Sequence, residues 1–206
     1  MRHSLNLPNR ITLARLVLAV VFVALLSQYV QRVPETWRLD AAWIMFVIAA
    51  ATDFLDGYVA RKYGLVTPLG RVLDPLVDKV LVCGAFVLFV GTGFVDEHGH
   101  NVTEVHAWMA VVIVVRELLV TGLRGFNESM GKHFPASIHG KLKMWMQSIA
   151  VPSILFITAR EHSGGFSEIG GTIKSVLAWM TVLITALSMI HYLVRSRYIL
   201  EESAPA

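Results

Sequence analysis

The sequence predicts an all-α integral membrane protein, a bundle of six transmembrane helices with both termini in the cytoplasm. Three observations predict this fold. Of the 206 residues, 55% are hydrophobic and only 16% are charged, and the mean hydropathy is +0.59, more than a soluble domain needs to fill its core. Long apolar stretches recur along the chain. The positive charges gather on one side of the bundle that these stretches would form.

The apolar stretches set the number of helices. They lie near residues 9–30, 40–61, 72–94, 105–125, 141–160 and 172–194. Each is close to the roughly 20 residues that a helix needs to cross the hydrocarbon core. Helices are expected because backbone groups in lipid must be satisfied within the segment, and no barrel-like alternation is visible. We therefore expect one membrane domain over residues 1–206.

The first stretch follows Arg2 and Arg10 and could be mistaken for a cleaved signal peptide. The segment "NLPNRITLAR" instead favours a helix start, because Pro8 suits a first turn, and no small-x-small cleavage site follows. We expect this segment to remain as the first span. The single cysteine, Cys83, can form no internal disulfide.

The distribution of Lys and Arg predicts the orientation. With the N-terminus inside, the inner segments and adjoining helix ends hold all but four of the 18 basic residues. Those four are Arg32, Arg38, Arg160 and Lys174. Both termini and the loop between the second and third spans should then face the cytoplasm from the inner membrane. The net charge of +3 is too small to indicate a nucleic-acid partner.

Four aspartates interrupt the second and third stretches. Asp53 and Asp56 are three residues apart, and Asp74 and Asp78 are four apart, so each pair lies on one face of its helix. The segment "KYGLVTPLG" between the pairs contains the glycines and proline of a tight turn. The two pairs are therefore expected to converge near the cytoplasmic end of the bundle.

These carboxylates need compensation, because one at the centre of a span costs about 2.5–3.5 kcal/mol, and less toward the interface. For Asp74 a structural role is open, as a helix N-cap with Pro75 at the first helical position. For the set, divalent cations best relieve the mutual repulsion. Ligands that are all oxygen favour Mg²⁺ or Mn²⁺ over zinc, and bridging carboxylates could hold two such ions, as in phosphoryl transfer.

The whole pattern resembles a family signature. Asp53-x2-Asp56-Gly57-x2-Ala60-Arg61-x8-Gly70-x3-Asp74-x3-Asp78 is similar, without departure, to the signature of the CDP-alcohol phosphotransferases. The resemblance implies a six-helix membrane enzyme, commonly a homodimer, that moves a phosphatidyl or similar group from a CDP-linked donor to an alcohol and releases CMP.

Three further segments resemble one branch of that family, the phosphatidylglycerophosphate synthases. They are "NLPNRITLAR", "LDPLVDK", and "RELLVTGLR" followed by "GKLK". This resemblance implies CDP-diacylglycerol as donor, glycerol 3-phosphate as acceptor, and phosphatidylglycerol phosphate and CMP as products.

Carried over by position, the resemblance assigns the site residues. It implies that two Mg²⁺ or Mn²⁺ ions bind to Asp53, Asp56, Asp74 and Asp78, with Asp78 also the general base. Gly57 and Ala60 would border the cytidine and Arg61 would contact the diphosphate, although small residues also serve close helix packing. The full donor site would comprise Asn9, Thr12, Arg15, Asp56, Gly57, Ala60, Arg61 and Gly70.

If the acceptor carries a phosphate, basic side chains must bind that phosphate. The candidates are Arg116, Arg124, Lys141 and Lys143, and Arg116 is the sharpest because it interrupts the apolar run "VVIVVRELLV". Arg116 could instead simply pair with Glu117, and the other three could face lipid headgroups. Convergence of these residues near the aspartates would favour a phosphate-bearing acceptor over inositol or serine alone.

Rival functions stay open at this point. The same chemistry could act on inositol phosphate, serine or phosphatidylglycerol. A membrane prenyltransferase also binds a diphosphate through metal-held aspartates, but the tight turn and the Gly-Ala-Arg elements disfavour it. A cation transporter would place acids deep in other spans, and the later spans are almost free of acids apart from Glu117.

Overall fold

The structure, a computed structural model, describes residues 7–33, 36–63, 68–130, 138–162, 164–166 and 169–201. Side chains within these ranges are described except at 7–10, 54–63, 68–72, 128, 139 and 196–201. The helices are α1 (Leu7–Ser27), α2 (Trp37–Tyr63), α3 (Pro68–Phe89), α4 (Ala107–Ser129), α5 (Ile138–Glu161) and α6 (Gly170–Glu201). A short 3-10 helix, Thr92–Phe94, follows α3. The predicted all-α class is confirmed, because the described ranges contain no strand.

The six helices form a closed ring. Neighbours around it are α1, α2, α5, α6, α4 and α3, and α3 packs back against α1; α3 and α5 also touch across the middle. Buried apolar side chains from all six helices share one core, including Phe22, Phe46, Phe86, Ile113, Ile154 and Ala178. At the end of the bundle where α2 ends and α3 begins, helices α2, α3, α4, α5 and α6 surround a common space.

The outer surface of the ring is apolar. Large side chains on four different helices lie about half exposed or more, namely Val17, Ile44, Leu118 and Leu187. Soluble proteins seldom display such surfaces, whereas helices in lipid do. Within the described residues, Gly140–Glu161 and Gly170–Arg195 are long and apolar enough to cross a membrane, and Ile11–Ser27 is apolar but shorter.

The capping role considered for Asp74 is wrong. Helix α3 begins earlier, at Pro68, and both Asp74 and Pro75 lie inside it. Proline is favoured in a first turn and costs a hydrogen bond further in. Lys79 Nζ donates to the Pro75 carbonyl at 2.9 Å. Asp74 is therefore a carboxylate on the body of a helix, and its position calls for an opposite charge.

Hydrogen bonds hold the loop between α3 and α4 against the end of α3. Asn101 Nδ2 and Thr103 Oγ1 donate to the Phe89 carbonyl at 2.7 and 3.1 Å. In the same loop the backbone N–H groups of His100 and His98 hold the pKa of the Asp96 carboxyl below its usual value. These hydrogen bonds fix the loop to the end of α3, and the predicted site residues lie at the opposite end of the bundle.

Gly84 allows α3 to lie close to α1. A Cβ at this position would stand 2.8 Å from Val23 Cγ2, and a β-branched side chain in a helix has one strongly preferred rotamer. The close approach matters for the site, because Thr12 and Arg15 of α1 contact Asp74 of α3.

Gly84→Leu should therefore destabilise the bundle, by about 1–3 kcal/mol from overpacking. The measurement is the melting temperature of purified protein in detergent. Gly122→Leu is the matched control, since a Cβ at Gly122 meets nothing within 4 Å. Equal melting temperatures for the two variants would contradict the close α1–α3 approach.

Candidate active site

A cavity of about 380 Å³ opens at the end of the bundle where α2 finishes and α3 begins. Three of the four predicted metal ligands line it, Asp53 from α2 and Asp74 and Asp78 from α3. All four predicted acceptor-binding cations line it as well: Arg116, Arg124, Lys141 and Lys143. The structure thus brings the two predicted groups to one space, and the cations do not simply face outward.

Helix α1 supplies a positive charge to the carboxylates. Arg15 is only 2% exposed, forms an ion pair with Asp53, and places Nη1 3.9 Å from Asp74 Oδ1. Thr12 Oγ1 donates to the same Asp74 oxygen at 2.9 Å. Burying an arginine is costly unless it is paired, so these contacts explain a cation inside the first helix. Thr12 and Arg15, predicted near the donor, lie directly against the predicted metal ligands.

The carboxylates suit a divalent cation by their chemistry. They offer oxygen ligands of the kind that Mg²⁺ prefers, and the Asp53 and Asp74 side chains stay 41% and 44% exposed. Among the described side chains no three acidic, His or Cys groups already cluster as a metal site; the side chain of Asp56 lies outside that set. Arg15 places a positive charge beside Asp53 and Asp74, the carboxylates that would bind the metal ion.

A second cavity, of about 220 Å³, lies on the other side of the same carboxylates. It shares Asp53 and Asp78 with the first and also borders Arg15, but otherwise its wall is mainly apolar, with Phe46, Leu81 and others. Ser148 also lines a third, apolar cavity of about 650 Å³ between α2, α5 and α6. Asp53 and Asp78 therefore stand between a charged space and an apolar one.

A buried glutamate organises the cationic wall. Glu117 is 5% exposed, accepts a hydrogen bond from Arg116 Nη1 at 3.2 Å and pairs with Lys143. The pairing of Arg116 with Glu117, considered from the sequence, is therefore present, but both residues line the cavity. One negative charge here faces two buried positive ones, while Arg124 and Lys141 are exposed at the same wall. The wall keeps a net positive charge.

Helix α6 completes this wall. Ser188 Oγ accepts from Arg116 Nη2 at 2.8 Å, and the Tyr192 hydroxyl accepts from Arg124 Nη2 at 3.4 Å. Sequence reasoning missed both residues, because one serine and one tyrosine in an apolar helix carry no distinctive pattern. Ser188 and Tyr192 are four residues apart and therefore lie on one face of α6. Many other pairs on the helix have the same spacing, so the spacing alone does not identify these two as site residues.

Other predicted donor-site residues fall where side chains are not described. Asn9 belongs to α1, Gly70 to α3, and the rest to α2. Those on α2 are Asp56, Gly57, Ala60 and Arg61. Their roles stay predictions.

Comparison with known proteins gives a consistent result. A family model described as CDP-alcohol phosphatidyltransferase matches residues 5–187. The CDP-diacylglycerol--glycerol-3-phosphate 3-phosphatidyltransferase of Bacillus subtilis (strain 168) is 36% identical, covering 91% of this chain and 93% of that protein. Proteins of the same name from Rickettsia bellii (strain RML369-C) and Escherichia coli (strain K12) are 34% and 32% identical, covering 93% of this chain and 96% and 95% of theirs.

The Arg15–Asp53 pair predicts unequal effects of its two single variants on stability. Asp53→Ala removes an ion-pair partner from Arg15, which is buried, whereas Arg15→Met leaves Asp53, which is partly exposed to water. Allowing for the exposure of Asp53, we expect Asp53→Ala to cost about 1–3 kcal/mol and Arg15→Met less.

The double variant should be more stable than the sum of the two losses predicts, because the residues are in contact. Melting temperatures in detergent with EDTA measure this cycle, and Glu97→Ala, in the exposed loop after α3, is the control. Strictly additive losses would show that the pair does not couple.

Proposed function

The chain belongs to the CDP-alcohol phosphatidyltransferase family, and on that basis we propose that it transfers the phosphatidyl group of CDP-diacylglycerol to glycerol 3-phosphate, producing phosphatidylglycerol phosphate and CMP. The names of the relatives state this reaction. The proposal is supported by one cavity that is lined both by signature carboxylates and by the basic residues around Glu117.

The carboxylate side is the donor side. Asp53, Asp56, Asp74 and Asp78 would hold two Mg²⁺ or Mn²⁺ ions, which, when bound, neutralise charge on the diphosphate and on the departing CMP. Arg15 adds positive charge through its contacts with Asp53 and Asp74. Thr12 orients Asp74 by hydrogen bonding to one of its oxygens.

The apolar cavities support a lipid donor. The acyl chains of CDP-diacylglycerol would lie toward the apolar space that begins at Asp53 and Asp78, with the cytidine at the C-terminal end of α2. Gly57, Ala60, Arg61 and Gly70, with Asn9 on α1, would border this nucleotide. The reactive phosphorus then lies beside the carboxylates, at the junction of the two spaces.

Asp78 is the proposed general base because it lines both cavities. Its carboxylate takes the proton from the primary hydroxyl of glycerol 3-phosphate. The hydroxyl oxygen attacks the β-phosphorus of the donor, the bond from that phosphorus to the CMP oxygen breaks, and CMP leaves with the electron pair. The reaction is a direct displacement that needs the hydroxyl and the phosphorus in contact.

The cationic wall binds the acceptor's phosphate. Guanidinium and ammonium groups recognise phosphate through charge-assisted hydrogen bonds. Arg116, Arg124, Lys141 and Lys143 all line this one cavity. Four basic side chains around one space favour glycerol 3-phosphate, which carries a phosphate, over serine or free inositol.

The orientation of the enzyme follows from its charges. Arg32, Arg38 and Arg160, predicted to lie outside, contact Asp96, Gln28 and Asp40 respectively, at the end of the bundle away from the cavity. This arrangement supports a multi-pass protein of the inner membrane with its site facing the cytoplasm. Homodimer formation, implied by the family resemblance, stays a prediction.

An acceptor panel tests the reaction. Purified protein in detergent with CDP-diacylglycerol, Mg²⁺ and labelled glycerol 3-phosphate should yield a labelled lipid and an equal amount of CMP. Asp78→Asn should lower kcat by at least about 100-fold, since general-base catalysis contributes on that scale, while Glu97→Gln keeps full activity.

Conversion of inositol phosphate, serine or phosphatidylglycerol in place of glycerol 3-phosphate would overturn the proposed acceptor but leave the family chemistry intact. Full activity of a folded Asp78→Asn variant would remove Asp78 from the role of base.

Metal removal gives a separate test of the carboxylates. EDTA should abolish CMP release, and Mg²⁺ or Mn²⁺ should restore it. Asp74→Asn should raise the Mg²⁺ concentration for half-maximal activity because a ligand oxygen loses its charge. Activity that survives EDTA, or an unshifted Mg²⁺ requirement in Asp74→Asn, would contradict the metal assignment.

A further inference from the structure

Two uncharged residues of α6 hold the arginines of the cationic wall. Ser188 and Tyr192 are both buried and, four residues apart, lie on one face of the helix. Ser188 Oγ accepts from Arg116 Nη2 at 2.8 Å, and the Tyr192 hydroxyl accepts from Arg124 Nη2 at 3.4 Å. The Tyr192 ring also lies 5.7 Å from Arg116 Cζ, within range of a cation–π contact. One helix face thus contacts both arginines.

These contacts orient the guanidinium group of Arg116. A guanidinium is planar and carries five N–H donors in a fixed fork, so contacts at several of its atoms define the direction of the rest. Glu117 accepts from Nη1 and Ser188 from Nη2, with the Tyr192 ring beside Cζ. Nε is the buried donor without a partner among the described residues. Arg116 is therefore held in one orientation before a ligand arrives.

Such an arrangement lowers the cost of binding an anion. A free arginine loses side-chain entropy on binding, about 0.5–1.5 kcal/mol for an immobilised long side chain. When neighbouring groups already fix the side chain, the entropy is lost during folding and does not reduce the binding affinity. Ser188 and Tyr192 add no charge, so they fix the arginines without weakening the positive field that attracts a phosphate. Glu117 also fixes its partners but removes part of that field.

From these contacts we infer that Ser188 and Tyr192 are positioning residues for the acceptor's phosphomonoester group. They act through Arg116 and Arg124. The inference rests on the proposed function, because it concerns the acceptor half of the same cavity. It assigns α6 a part in acceptor specificity, since a neutral alcohol gains little from two oriented guanidinium groups.

Kinetics with both substrates test this role in the full-length enzyme. Ser188→Ala should raise the KM for glycerol 3-phosphate about 3- to 10-fold, the scale of one hydrogen bond to a charged group. Tyr192→Phe keeps the ring beside Arg116 and should raise that KM about 2- to 5-fold. Both variants should keep the wild-type kcat and the wild-type KM for CDP-diacylglycerol. Ser188→Thr retains a hydroxyl and should restore acceptor binding.

Thr185→Val is the matched control. Thr185 lies on the same helix, one turn before Ser188, and its buried hydroxyl has no hydrogen-bond partner among the described residues. This variant should keep the wild-type KM values for both substrates. Its melting temperature provides the reference for loss of a buried hydroxyl from α6.

Two outcomes would overturn the inference while leaving the proposed function in place. One is an unchanged KM for glycerol 3-phosphate in both Ser188→Ala and Tyr192→Phe. The other is a parallel loss of kcat, donor affinity and melting temperature, which would show a purely structural role. Failure of the wild-type enzyme to use glycerol 3-phosphate would instead refute the proposed function, and the inference with it.

Discussion

A charge buried among apolar helices must meet an opposite charge or a ligand, and this constraint shapes the site. The carboxylates on α2 and α3 meet Arg15 from α1, and the cations on α4 and α5 meet Glu117. In neither group do these charges cancel, since Arg15 contacts two aspartates and Glu117 contacts two cations. The cavity therefore has a negative side, suited to divalent cations, and a positive side, suited to phosphate.

The ring of helices brings these two groups of charges to one cavity. Helix α3 contacts α1, which supplies Arg15, and α4, which supplies Arg116. Asp74 and Asp78 thus lie on the helix that packs against both α1, with Arg15, and α4, with Arg116. In the proposed reaction, the apolar cavity beyond Asp53 and Asp78 would give a lipid donor access to the carboxylates, and a phosphorylated alcohol would bind at the positive wall. Attack where these spaces meet would then join a lipid to a water-soluble acceptor.

The sequence allowed part of this site to be predicted, for reasons that differ between residues. Spacing alone put Asp74 and Asp78 on one helix face, because that relation is local. The ion pair of Arg15 with Asp53 depends on how α1 packs in the ring, which spacing does not encode. The N-cap interpretation of Asp74 failed because the helix begins at Pro68, so a locally plausible Asp-Pro start was overridden. Ser188 and Tyr192 are significant only through their contacts with Arg116 and Arg124.

The metal ions and the acceptor's phosphate are proposed to bind to different groups of side chains in one cavity, the carboxylates and the cationic wall. The most direct measurement is the effect of Mn²⁺ on the phosphorus NMR relaxation of glycerol 3-phosphate bound to the enzyme. We predict enhanced relaxation in the wild type, with a smaller enhancement at the same Mn²⁺ concentration in Asp74→Asn, where the ion binds more weakly, and separately in Arg116→Gln, where the phosphate is released. Undiminished enhancement in Arg116→Gln would contradict the account, because the phosphate would then bind the ion itself rather than the cationic wall.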